Sequence, residues 1–197
     1  MRRLTKKVIS GLGIDLRLRV LVWGMIGVLV LIPCRIATAQ CASSLTDGDF
    51  EEQSREKVGI PWNVEGKAGI YLRRGLSFRG DNNAWARNNT GWNGIFHYPT
   101  LLTAGVNYTL KAFVRTSGNV RDGYFGFRDR DRRPVSEIKF GTLPAYKELK
   151  VQFRPARTGR YPVFVGFWAP NQDAWIHVDH VRLESPCHDV HANPADQ

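Results

Sequence analysis

From Asp47 onward, apolar residues recur at every second position and turn-favouring residues come round roughly every dozen positions. A period of two puts successive side chains on opposite faces of an extended strand; a helix would repeat at 3.6. The pattern predicts strands over residues 69–72, 93–98, 106–116, 123–128, 137–140, 147–153, 159–168 and 174–183. The intervening stretches 79–83, 103–105, 117–119, 129–134 and 169–173 hold the Gly, Asn, Asp and Pro that turns require. Many short strands punctuated in this way, with helix nearly absent, predict an all-β, two-sheet antiparallel sandwich. No internal repeat or low-complexity segment divides it, so residues 41–187 form one domain.

Alternation also assigns faces. In Tyr108-Thr-Leu-Lys-Ala-Phe-Val-Arg, the set Tyr108, Leu110, Ala112 and Val114 suits the core, leaving Thr109, Lys111, Phe113 and Arg115 outside. In Gly123-Tyr-Phe-Gly-Phe-Arg, Phe125 and Phe127 point in, while Tyr124, Gly126 and Arg128 point out. In Tyr161-Pro-Val-Phe-Val-Gly-Phe-Trp, the inward set is Tyr161, Val163, Val165 and Phe167, with Phe164, Gly166 and Trp168 outside. In Trp175-Ile-His-Val-Asp, Ile176 and Val178 enter the core and Trp175 and His177 face solvent.

The outward set is the informative one, because a sheet facing only water should carry polar residues there. Instead it carries Phe113, Tyr124, Phe164, Trp168 and Trp175, interleaved with Lys111, Arg115, Arg128 and His177. Contiguous aromatic surface calls for a cover. Gly126 and Gly166 are expected to lower the floor of the face and let a ligand approach the backbone. A pyranose ring has one C–H face that stacks on an indole or phenol, and hydroxyls that pair with planar groups such as Arg115, Arg128, Asn171 and Gln172. A groove so furnished suits a sugar chain; the rival reading is that a loop, a partner domain or a second subunit covers the rings. In the Asn-rich stretch 81–93, Trp92 is placed at the groove edge, whereas Trp85 and Trp62 are read as core plugs.

Residues 1–39 follow another pattern. A basic segment ends at Arg19, and an uncharged apolar run of fourteen residues extends over 20–33. A membrane-spanning helix needs about twenty residues, whereas a secretory signal needs about 7–15. Ala37-Thr-Ala39 then offers the small side chains of a cleavage site, which makes residues 1–39 a signal peptide and Gln40 the first mature residue. The protein is thus expected to be secreted or extracytoplasmic, with no stable membrane anchor once the signal is cut; the alternative is an uncleaved anchor. Seven of the 28 Lys/Arg and one of the 18 Asp/Glu lie in this segment, so most of the net charge of +10 belongs to it and not to the domain. The basic balance therefore identifies no nucleic-acid partner. Of three cysteines, Cys34 leaves with the signal; Cys41 and Cys187 remain at the two ends of the domain, a pair that an oxidising compartment would join. That closure stabilises by about 5 kcal/mol in the chain-entropy model. Two free thiols are the alternative. Residues 188–197 read as a flexible tail.

Four segments in order carry a family likeness: Leu45-Thr-Asp-Gly-Asp-Phe-Glu-Glu, Ile60-Pro-Trp-Asn-Val-Glu-Gly, Leu102-Thr-Ala-Gly-Val-Asn-Tyr-Thr-Leu-Lys-Ala-Phe-Val-Arg, and Trp175-Ile-His-Val-Asp-His-Val-Arg-Leu. Together they resemble the jelly-roll carbohydrate-binding modules of families 4, 9 and 22, members of the galactose-binding-like fold. The resemblance implies a non-catalytic module that binds polysaccharide along one sheet. No catalytic domain accompanies it in this chain, which departs from the usual arrangement beside a glycoside hydrolase. It also implies a structural calcium held by Glu51, by the loop over residues 80–83 that contains Asp81, and by Asp179; hard oxygens from separate segments are what calcium takes. The rival reading is that Asp179 caps backbone amides.

The expected function is binding of a polysaccharide or oligosaccharide by Trp168, Trp175, Tyr124, Arg128, Arg115, Phe113, His177, Trp92, Asn171 and Gln172. One alternative uses the same face for adhesion or subunit contact. Another is a polysaccharide-degrading jelly roll. A glycosidase needs two carboxylates about 5–10 Å apart, and the sequence pattern places none on this face, Glu51, Glu65 and Asp179 mapping elsewhere. A lyase could draw instead on Tyr124, Arg128 and His177.

Overall fold

The computed structural model describes residues 45–186 and the strand residues Gln40–Cys41. Residues 1–39, read above as a signal peptide, lie outside the described residues, as do Cys187, residues 188–197 and the side chain of Cys41. No helix occurs among the described residues, and the strands are β1 (Gln40–Cys41), β2 (Trp62–Glu65), β3 (Ala68–Leu72), β4 (Asn82–Asn88), β5 (Trp92–Leu102), β6 (Tyr108–Thr116), β7 (Asp122–Arg128), β8 (Pro134–Phe140), β9 (Lys147–Phe153), β10 (Gly159–Trp168) and β11 (Ala174–Pro186). They form two antiparallel sheets. The first runs β3-β4-β11-β6-β9, with β1 paired to the end of β11; the second runs β2-β5-β10-β7-β8. The all-β sandwich predicted from alternation is the fold observed.

The core fills from facing alternate positions. Ile70, Ala84, Ala86, Leu110, Ala112, Val114, Ile176 and Val178 come from the first sheet, and Trp62, Ile95, Phe125, Phe127, Val163, Val165 and Phe167 from the second. Apolar area removed from water at about 25 cal/mol per Å² is what drives this closure. Trp62 plugs one end as expected: it packs on Phe50 at 4.9 Å, and its indole N–H donates to the Asp47 carbonyl at 2.7 Å. Trp85 departs from expectation. It belongs to β4, a strand the sequence pattern hid in an Asn-rich turn, and its ring is half-buried outside the core, stacked on Tyr71. Asn82 can occupy a strand because its amide donates to the Phe50 and Gln53 carbonyls, so burial leaves neither N–H unpaired.

Sheet membership overturns one expectation. β6 and β11 lie in the first sheet, β7 and β10 in the second. The outward residues of these four strands therefore occupy two outer faces on opposite sides of the core, not one shared groove. Phe113, Arg115, Trp175 and His177 share one face; Tyr124, Arg128, Phe164 and Trp168 share the other.

Candidate functional site on the second sheet

Three cross-strand rows build the outer face of the second sheet. Trp92 pairs with Trp168, and Trp168 with Asp122; Phe96 pairs with Phe164, then Gly126, then Glu137; between these rows run Glu65, Gly94, Gly166, Tyr124 and Lys139. The glycines lower the floor, but protein groups take the space. A Cβ on Gly166 would meet the Trp92 indole at 2.6 Å, and one on Gly126 would run into the Ser136 carbonyl of β8. This corrects the expectation that a ligand reaches the backbone there: Trp92 lies across the glycine row and becomes the floor itself.

The result is a groove of about 610 Å³ lined by Trp92, Tyr124, Phe164 and Trp168 with Glu65, Arg128, Arg132 and Glu137. Trp168 stays 54% exposed. Its ring lies 5.9 Å from that of Trp92, which in turn is 6.2 Å from Tyr124. Phe164 faces outward yet is only 2% exposed, because the Arg128 guanidinium sits 4.2 Å above its ring. Such cation–π contact adds roughly 1–2 kcal/mol when desolvated. Arg128 Nη1 donates to both Glu65 oxygens at 2.9 and 2.8 Å, and Trp92 Nε1 donates to Glu65 Oε2 at 2.6 Å. Arg132, in the hairpin before β8, holds Nη1 3.6 Å from Glu65 Oε1. Lys139 pairs with Asp122 at the rim. The groove therefore carries two carboxylates, Glu65 and Glu137, and Asp122 is a third at the rim of the same face, where the sequence pattern placed none. Alternation in Trp62-Asn-Val-Glu holds the signal for Glu65, since Trp62 points in and Glu65 falls on the opposite parity.

The other predicted residues lie elsewhere. On the first sheet's outer face the Arg115 guanidinium donates to His177 Nδ1 at 3.2 and 3.0 Å, so the neutral ring carries its proton on Nε2. Burial and the adjacent Arg115 charge pull His177 down to about 4. Trp175 packs on His177 at 4.4 Å. Phe113 is covered by the chain's own loop, with Phe78 stacked on it at 3.6 Å. Asn171 and Gln172 are exposed in the loop after β10 and line no part of the groove.

The residues expected to hold calcium meet at one edge, where Glu51 Oε1 and both Asp179 oxygens accept amide N–H groups. Glu51 Oε1 accepts the Asp81 and Asn82 N–H at 2.8 and 2.9 Å. Asp179, 0% exposed, accepts the Phe78 and Arg79 N–H on Oδ2 and the His180 N–H on Oδ1. Burial pushes Asp179 up to about 6 even so. Asp81 is exposed and contributes its backbone N–H. No group of three or more His, Cys, Asp or Glu side chains is gathered for a metal among the described residues. The bonds that Glu51 and Asp179 make cap amides of the segment over residues 78–82 and of His180, the role that the rival reading gave Asp179.

No family model and no curated protein matches the chain. Among solved structures, a cyclase from Fischerella sp. TAU aligns with a TM-score of 0.61 and 14% identity over 76% of this chain and 100% of its own. TmCBM61 in complex with β-1,4-galactotriose aligns with a TM-score of 0.54 and 17% identity over 72% of this chain and 97% of its own. A CBM4 module aligns with a TM-score of 0.52 and 13% identity over 64% of this chain and 94% of its own. The fold is thus the two-sheet β-sandwich that the cyclase and these carbohydrate-binding modules share; identities this low speak to fold alone.

Proposed function

We propose that this protein is a secreted, non-catalytic carbohydrate-binding module that takes a polysaccharide or oligosaccharide chain in the groove on the second sheet. The observation that carries the reading is Trp168, half in water beside Trp92 and Tyr124 and mounted on a floor that Arg128 and Glu65 hold rigid. Three rings at angles to one another offer stacking surfaces to sugar C–H faces, and the likeness to a module bound to β-1,4-galactotriose agrees with that use. The predicted site shrinks accordingly to Trp92, Tyr124, Arg128 and Trp168, joined by Glu65, Arg132 and Glu137.

Isothermal titration and affinity electrophoresis against β-1,4-galactan, xylan, cellulose oligomers and β-1,3-glucans test the reading. At least one is bound by the mature protein and released by none of it as free sugar. Retardation by no glycan, or steady release of reducing ends, overturns it. Export and the terminal disulfide are read from sequence. Cys41 pairs in β1 with Ser185, two residues before Cys187 in the chain. Mass spectrometry of the exported protein should find Gln40 at the N-terminus and no free thiol.

A further inference from the structure

We infer that Glu65 is the positioning residue of the groove: it contacts no sugar and sets the rings and the cation that do. The inference rests on the groove being the saccharide site. Chain geometry delivers the carboxylate. Gly66, at φ +74°, turns the backbone as β2 ends, and a side chain there would collide with the Trp92 carbonyl and the Asn93 amide. The buried Asn93 then accepts the Lys67 N–H at 3.0 Å and fixes that turn. Across the face Glu65 pairs with Gly94, which pairs with Gly166, so the row beside it is empty of side chains and open to the Trp92 indole.

Three donors from separate strands or loops converge on this one group. Trp92 Nε1 reaches it at 2.6 Å, Arg128 at 2.8 and 2.9 Å, and Arg132 approaches to 3.6 Å. The side-chain hydrogen bonds of Arg128 all go to Glu65, and its Nε is buried without a hydrogen-bond partner. A charged acceptor shared by an indole N–H and a guanidinium is strong and directional. It holds the Trp92 ring over Gly166 and the guanidinium over Phe164 before any ligand arrives, which removes ordering cost from binding. The same bonds withdraw the Trp92 N–H and Arg128 Nη1 from sugar hydroxyls, so Trp92 acts through its face and Arg128 keeps only Nη2 for a hydroxyl. The other groups that can meet hydroxyls are Arg132, whose side chain is 69% exposed, and Glu137 at the rim.

The indole N–H signals of the wild-type protein in ¹⁵N–¹H spectra, assigned with Trp92→Phe and Trp168→Phe, test the hold itself without any ligand. Exchange of the Trp92 N–H is expected to be at least about 100-fold slower than that of Trp168, and its resonance moves in Glu65→Gln, which keeps the shape and removes the charge. Equal exchange at the two indoles, or an unmoved resonance in Glu65→Gln, overturns the inference. The second arm measures affinity for β-1,4-linked galacto-, xylo- and gluco-oligosaccharides. Glu65→Gln weakens the best of them by at least about tenfold, and has no further effect in a Trp92→Phe/Arg128→Met background. A further loss in that background means that Glu65 touches sugar, and overturns the positioning role. If none of the three series binds the wild type while the Trp92 N–H is protected, the saccharide reading fails and the hold of Glu65 on the ring stands.

Discussion

Trp168 keeps half its surface in water beside two other rings, at a cost that a stacked ligand would relieve. The size of its face therefore sets the size of the effect. Trp168→Ala should weaken glycan binding by about 30-fold or more, and Trp168→Phe by less, since a smaller ring still stacks. Its melting temperature should stay within about 2 °C of wild type, because the ring supports nothing in the core; a binding loss matched by a large fall in melting temperature would place Trp168 in the scaffold instead. At this scale the sequence was readable wherever a strand was long enough to show its period. Tyr124, Arg128, Phe164 and Trp168 all fall on the outer parity that alternation assigned. Glu65 escaped because β2 has only four residues, so its alternation, although present, is short enough to pass as part of the turns around it.

At the scale of elements, the segment over residues 73–82 is held by two carboxylates. Glu51 and Asp179 accept four amide N–H groups from it, and Phe78 lays its ring on Phe113. Each such bond to a charged acceptor contributes roughly 1.5–3 kcal/mol. Glu51→Ala should therefore lower stability by about 2–4 kcal/mol, measured by urea denaturation. A chelator should leave the melting temperature of the wild type unchanged; a fall on chelation would restore the calcium implied by the family likeness. The loop also explains why β4 was illegible. Asparagine ordinarily prefers turns, and here its side-chain amides find carbonyl partners that exist only once residues 50–53 fold against β4.

Across the whole molecule, His177 and Asp179, both buried on β11, act in opposite directions. Burial lowers His177 to about 4, so its contribution is complete above the unfolded value of about 6.5 and is lost as pH falls through 4. Burial raises Asp179 to about 6, so its contribution is complete below the unfolded value and is lost as pH rises through 6. Each amounts to about 3 kcal/mol, and between pH 4 and 6 they offset one another. The wild-type melting temperature should be nearly flat over that window. His177→Gln should leave a protein that loses stability as pH rises, and Asp179→Asn one that loses it as pH falls; parallel pH profiles for the two variants would refute the assignment. The separation of faces makes a further test. Trp175→Ala, on the first sheet, should leave glycan affinity unchanged, and an affinity loss comparable to that of Trp168→Ala would mean that the two sides act together.

What the amino-acid order determined by itself was local: period two, hence strands; parity, hence which side chains enter the core and which rings face out; and turns where Gly, Asn and Pro interrupt. A strand's alternation states on which side of its own backbone each residue lies, and nothing about its neighbours. Which rings share a surface depends on pairing between distant segments, Trp92 with Trp168 and Glu65 with Gly94, chosen by the packing of the entire core. Only the tertiary structure could therefore divide the aromatic residues between two faces, bring a carboxylate under one of them, and turn Glu51 and Asp179 toward amides.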